Sequence, residues 1–228
     1  MAKNGIVLKR RLDLSKVEKE WVESYFHDKM LPFVQPVLLV KDMVRPFLNN
    51  AQLYLTILMK ERETKKTAYA VVKIPSDHLP RFIELPQTDL NRNLILLDDI
   101  VRHSISWMFP GYEVEDTFSV KLTRDAELYI DDEFSGDLLD KIKTSLQRRH
   151  VGPASRFVYD RTMPEDLLDY LKDTFELENL DVLAEGRYHN NSEFFCFPFF
   201  DFALLKNPPH PPLPYQVLSS TSFFLPSF

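Results

Sequence analysis

Glycine and cysteine are scarce in this chain, with 5 Gly and a single Cys among 228 residues. So few glycines leave little material for a phosphate-cradling loop, and neither GxGxxG nor GxxxxGK[ST] occurs. The lone cysteine, Cys196, cannot close an internal disulfide and excludes a cysteine-based zinc cluster. Between Phe195 and Phe197 it reads as a small core hydrophobe. No run approaches the ~18 consecutive apolar residues of a membrane-spanning helix, and MAKNGIVLKRR at the N-terminus lacks the apolar stretch of a signal peptide. The chain is therefore expected to be cytoplasmic, without a membrane span. Its net charge of −6 argues against coating nucleic acid through an overall positive field, and no nucleic-acid partner is expected.

What is present is core material. The composition is 44% hydrophobic and 27% charged, with 18 Phe, far from that of a disordered chain. Ser15-Lys16-Val17-Glu18 has the S-x-x-E form of a capping box, and Val17, Trp21, Val22, Tyr25 and Phe26 follow at helical spacing. That pattern predicts a helix ending near Pro32, followed by an extended, Pro-interrupted LPFVQPVLL. LYLTILM (53–59) and AYAVVKI (68–74) predict two strands joined by a charged turn, and residues 79–85 a short extended piece. Leu97, Ile100, Val101, Ile105 and Met108 mark a helix within 94–109.

FSVKLTRDAELYI (118–130) alternates like a half-buried strand, except that Arg124 falls on the apolar face with Phe118, Val120 and Leu122. A guanidinium there needs a carboxylate or carbonyl partner, or the strand must end before it. SGDLLDKIKTSLQRR (135–149) predicts a helix capped by Ser135, SRFVYDR (155–161) a strand, and MPEDLLDYLKDTFEL (163–177) a helix with Pro164 in its first turn. About four helices and five strands in mixed order point to an α+β fold, with a mixed, largely antiparallel sheet and about four packed helices.

Common catalytic motifs are missing. None of the six histidines forms HxxxH, and no GxSxG turn occurs. His27-Asp28-Lys29 begins like HxKxxxxD, but Val34 stands where the aspartate is required. Asp98-Asp99 occupies adjacent helix positions that do not share a face. Asp131-Asp132-Glu133 reads as a solvated turn rather than a cation site. More suggestive are Lys121, Arg124, Arg156, Arg161 and Arg187 with His189, a set that suits a polyanion such as polyphosphate, since arginine forks match phosphate. The alternative is that these cations pair with neighbouring carboxylates such as Asp125, Glu127 and Asp160.

Several longer blocks carry a resemblance: VRPFLNNAQLYL, YAVVKIPSDHLPRFIELP, ILLDDIVRHSI, SVKLTRDAELYIDDEFSGDLLDKIKTSLQRRHVGPASRFVYDR and EGRYHNNSEFF. Together they resemble the middle, or head, domain of the histidine-dependent bacterial polyphosphate kinases. That resemblance implies an enzyme that reversibly transfers the terminal phosphate of ATP to polyphosphate, using Mg2+ and a phosphohistidine carried by C-terminal domains. It also implies contacts to ATP from a helical N-terminal domain and a dimer formed through the head domain. In the block EGRYHNN, Glu185 stands where the family pattern has a glycine, and Asn191 where it has an aromatic.

The expected organisation is a lead-in over 1–14, a middle domain over 15–200, and a Pro-rich, then Phe/Ser-rich tail over 201–228 that departs from the family pattern. None of this chain's histidines occupies the catalytic motif, so no catalytic residue, metal ligand or bound cofactor is expected in it. The expected role is dimerisation and scaffolding, with the N-terminal and catalytic C-terminal domains of the same enzyme as partners. A polyanion-binding module and a free-standing α+β interaction domain are the alternatives.

Overall fold

The computed structural model describes residues 5–40, 46–87, 90–124 and 154–198, together with 207. The chain divides into two compact units, Met1–Cys196 and Phe197–Phe228, and all the helices and strands below belong to the first. The helix expected over 135–149, the acidic turn at 131–133 and most of the tail lie outside the described residues.

Strand β1 (Ile6–Lys9) leads into helix α1 (Lys16–Tyr25). The capping box forms as expected: the Glu18 amide donates to Ser15 Oγ at 3.3 Å and the Ser15 amide to Glu18 Oε2 at 2.9 Å. Such a cap contributes about 1 kcal/mol to a helix start. A π-turn (Phe26–Met30) and a 3-10 turn containing Pro32 (Leu31–Phe33) then end the helical run. The widened turn places both Phe26 and Met30 in the core. Val17, expected on the apolar face, is exposed; Glu18 is buried instead, with its carboxylate 2.7 Å from Lys9 Nζ.

Strands β2 (Pro36–Leu39), β3 (Leu53–Glu61) and β4 (Thr67–Lys73) follow, then β5 (Phe82–Glu84), β6 (Arg92–Leu96), helix α2 (Leu97–Met108) and β7 (Tyr112–Arg124). The described order closes with β8 (Ala154–Asp160), helix α3 (Glu165–Phe175) and β9 (Val182–Glu185). The small sheet runs β1-β6-β5 and the large one β2-β4-β3-β7-β8-β9. Among the described strands only β1–β6 and β8–β9 pair in parallel, so the fold is α+β with mostly antiparallel pairing.

The large sheet buries both faces. Leu53, Leu55, Ile57 and Met59 of β3 pack with Val22 and Phe26 before α2 and with Ile100 and Ile105 on it. On the opposite face, Phe118, Val120 and Leu122 of β7 pack with Leu167 and Leu171 of α3. The alternation expected over 118–130 holds through 118–123, residues 125–130 lying outside those described, but the polar face is covered too: Ser119 and Thr117 are buried. Ser119 pairs with Leu55 in the register, which turns it toward the α2 side.

The strand's regular pairing with β8 shifts between Thr123 and Arg124. There the Arg124 amide donates to Asn50 Oδ1 at 2.9 Å and its Nε to the Leu48 carbonyl at 3.1 Å. The guanidinium also lies 4.2 Å from the Phe47 ring centre. A carbonyl and an aromatic face thus take up the arginine that breaks the pattern. Cys196 is exposed rather than in the core, because it closes a short 3-10 turn (Asn191–Cys196) whose Phe195 is exposed as well.

Candidate functional site

Helix α2 is buried on nearly every side over its first turns, which carries Asp98, Asp99 and Arg102 inside with Ile100 and Val101. Charges in such a place survive only when paired, because taking an ion out of water costs several kcal/mol. Each has its counter-ion. Arg81 Nη2 lies 3.0 Å and 2.9 Å from the two Asp98 oxygens, and Arg81 Nη1 lies 3.1 Å from Glu193 Oε2. Arg102 Nη1 is 3.3 Å from Asp99 Oδ1, and its Nη2 donates to Ser119 Oγ at 2.6 Å. Burial raises the Asp98 carboxyl, while Arg81 and Arg102 pull it back down.

These arginines also hold a piece of backbone. Arg81 donates to the His189 carbonyl at 3.3 Å and Arg102 to the Arg187 carbonyl at 3.5 Å. Between them, the Tyr188 hydroxyl donates to Asp99 Oδ2 at 2.9 Å while its ring lies 5.3 Å from the Arg102 guanidinium. Burial and the neighbouring Asp99 carboxylate push the Tyr188 hydroxyl up to about 12. The seam fixes the segment 187–193 from beneath.

Above it lies a cavity of about 190 Å³, walled by Lys121, Thr123, Arg156, Glu185, His189 and Ser192, among others. β7 supplies Lys121, β8 supplies Arg156 and the end of β9 supplies Glu185. The fixed segment supplies His189 and the asparagines that follow it. Lys121 Nζ donates to Asn190 Oδ1. Burial lowers its proton affinity, opposed by Glu193 and Glu185. Arg156 Nη2 is 3.3 Å from Glu185 Oε1 and remains exposed. The His189 side chain is 1% exposed, and its Nδ1 is 3.9 Å from Glu185 Oε2. Burial holds its ring below the ordinary histidine value, while Glu185 and Asp160 pull the other way and Arg102 and Arg81 add to the lowering.

Of the six residues proposed for polyanion binding, Lys121, Arg156 and His189 thus share one cavity. The others point elsewhere. Arg124 is engaged at the end of β7, and Arg161 Nε donates to the Glu185 carbonyl at 3.3 Å. Arg187 Nη2 reaches Asp116 Oδ1 and the Thr117 carbonyl, each at 3.3 Å. Asn191, at the position of the family's aromatic, is part of the cavity wall.

Sequence reasoning missed the seam itself. Arg81, Arg102 and Tyr188 were not singled out, and Asp98-Asp99 was set aside because adjacent residues do not share a face. On a helix buried all round, both faces are interior. The readable signal was the pair of aspartates inside an otherwise apolar ILLDDIV, with Arg102 one turn on.

Among the described residues no three His, Cys, Asp or Glu side chains converge on a cation site. Asp98 and Asp99 are each taken up by an arginine, so the described residues do not fit Mg2+. No described helix is long and apolar enough to cross a membrane.

The class these features define is an α+β domain with helices on both faces of a mixed sheet, carrying a cationic cavity above a buried arginine seam. The family model described as the polyphosphate kinase middle domain matches residues 17–197. The chain belongs to that family. It is 36% identical over 220 residues to a polyphosphate kinase of Vibrio vulnificus (strain YJ016), covering 93% of this chain and 31% of that protein. Against the polyphosphate kinase of Escherichia coli (strain K12) the identity is 34%, over 93% of this chain and 32% of the relative. The crystal structure of polyphosphate kinase from Porphyromonas gingivalis superposes with a TM-score of 0.74 at 29% identity, over 96% of this chain and 31% of that one. The chain therefore spans about a third of the length of the relatives it matches.

Proposed function

We propose that the chain is the middle-domain portion of an enzyme that reversibly transfers the terminal phosphate of ATP to polyphosphate, and that alone it is catalytically silent. In this reading it acts as a dimerising scaffold in the cytoplasm. ATP, Mg2+ and the phosphohistidine are handled by other domains of the same enzyme, and no step of the transfer runs through a residue of this chain.

One observation carries the scaffold reading. The buried charged groups, Arg81, Arg102, Asp98 and Asp99, are paired with one another and with backbone groups, and none of them lines the cavity above. A catalytic acid, base or nucleophile has to reach a reacting atom, and among the described residues these groups reach the 187–193 segment, β7 and the Arg11 amide. The membership shown by the family match supplies the parent reaction.

The test is autophosphorylation. The 228-residue chain, incubated with γ-labelled ATP and Mg2+, takes up no label, whereas incorporation into any of its histidines contradicts the proposal. Dimerisation is checked by light scattering on the same sample, which returns twice the chain mass if the contacts lie within this domain.

A further inference from the structure

The cavity between β7, β8 and the 187–193 segment has donors to spare. An ammonium offers three N–H groups and a guanidinium five. Among the described residues Lys121 gives one bond to Asn190, and Arg156 gives one to Glu185. The His189 side chain, 1% exposed, backs the cavity wall with both ring nitrogens buried.

The walls define that ligand. Two cations and the neutral groups of Thr123, Asn190, Asn191 and Ser192 face Glu185, which already engages Arg156, while the nearby Glu193 is taken up by Arg81. The net preference is for an anion rich in acceptors. A volume of about 190 Å³ is smaller than the roughly 300–1,000 Å³ of pockets that enclose drug-sized ligands. It suits a compact tetrahedral ion rather than a whole nucleotide.

We propose that this cavity binds a tetrahedral oxyanion of the phosphate–sulfate class, gripped by Lys121 Nζ and the Arg156 guanidinium. The arginine seam positions the site indirectly: Arg81 holds the His189 carbonyl, so the ring stays in the wall when the cavity is empty. The proposal stands whether or not the domain is catalytically silent, because it concerns recognition and not transfer. The same chemistry is offered by free orthophosphate and by the terminal group of a longer phosphate chain.

Calorimetric titration of the 228-residue chain at low ionic strength separates these. Orthophosphate and sulfate are expected to bind saturably at one site. Lys121→Gln and Arg156→Gln each weaken that binding roughly tenfold, as loss of a charge-assisted hydrogen bond does. Arg161→Gln, outside the cavity, leaves it unchanged. The His189 ring, in the cavity wall, reports the same binding through a shift of its resonances on titration of the folded wild-type chain. Tripolyphosphate binding no more weakly than orthophosphate shows that the site accepts a chain end, and weaker binding shows that it selects the free ion. Absence of orthophosphate and sulfate binding overturns the proposal. So does a loss in Arg161→Gln equal to that in Lys121→Gln, which marks diffuse attraction, or a His189 ring that does not respond.

Discussion

Two groups of cations meet the 187–193 segment, and they are built on opposite terms. Arg81 and Arg102 are buried, and their described bonds go to carboxylates, a serine hydroxyl and backbone carbonyls. Lys121 and Arg156 are half-buried and exposed, and each leaves donors facing a cavity. The contrast separates cations that hold a fold from cations available to a ligand. Arginine count in the sequence does not distinguish them; burial against an open cavity wall does.

The largest expected effect is on the buried side. Arg102→Met leaves Asp99 buried without its cation, and removal of one partner of such a pair costs about 3–5 kcal/mol. Urea unfolding measures it, and the double variant Arg102→Met/Asp99→Leu should recover much of the loss because no orphaned charge remains. Tyr188→Phe is expected to cost less, about 1–3 kcal/mol, by removing one donor from the same carboxylate. If Arg102→Met is as mild as a surface change, the seam is not structural and the contrast fails.

His189 gives a pH dependence. Its folded form is held below the ordinary histidine value by burial, so the unfolded chain takes up the proton first as pH falls. Its contribution to stability is fully present above the ordinary value near 6.5 and is lost as pH drops below it. Denaturant midpoints of the wild type should therefore fall between pH 7.5 and 5.5 more than those of His189→Gln; equal slopes contradict a buried neutral ring. The smallest stability effect belongs to Arg156→Gln. Its exposed pair with Glu185 is worth at most about 1 kcal/mol, so thermal melts of the two chains should nearly coincide.

Local signals were legible wherever one stretch decides its own structure. The capping box placed α1, β-branched and aromatic runs placed β3 and β4, and Pro164 marked the start of α3, where it is the N-cap. What stayed hidden depends on partners distant in the chain. β1 and β9 are four-residue strands completed by parallel pairing with β6 and β8, and β6 passes into α2 with no turn residue between them. Glu18 was visible as a cap but not as a buried ion, because Lys9 lies outside the helix pattern. The cavity was half legible: Lys121, Arg156 and His189 were named, yet only the fold separates them from Arg124, Arg161 and Arg187.

The most direct test compares thermal midpoints of the wild type, Lys121→Gln and Arg102→Met, each with and without orthophosphate. Without phosphate, Lys121→Gln should melt with the wild type, since burial already disfavours its charge, and Arg102→Met should melt far lower. Phosphate should raise the wild-type midpoint, as any ligand specific to the folded state does, and raise that of Lys121→Gln less at the same concentration. A Lys121→Gln chain that melts as low as Arg102→Met, or that phosphate stabilises as much as the wild type, contradicts the division between holding and binding cations.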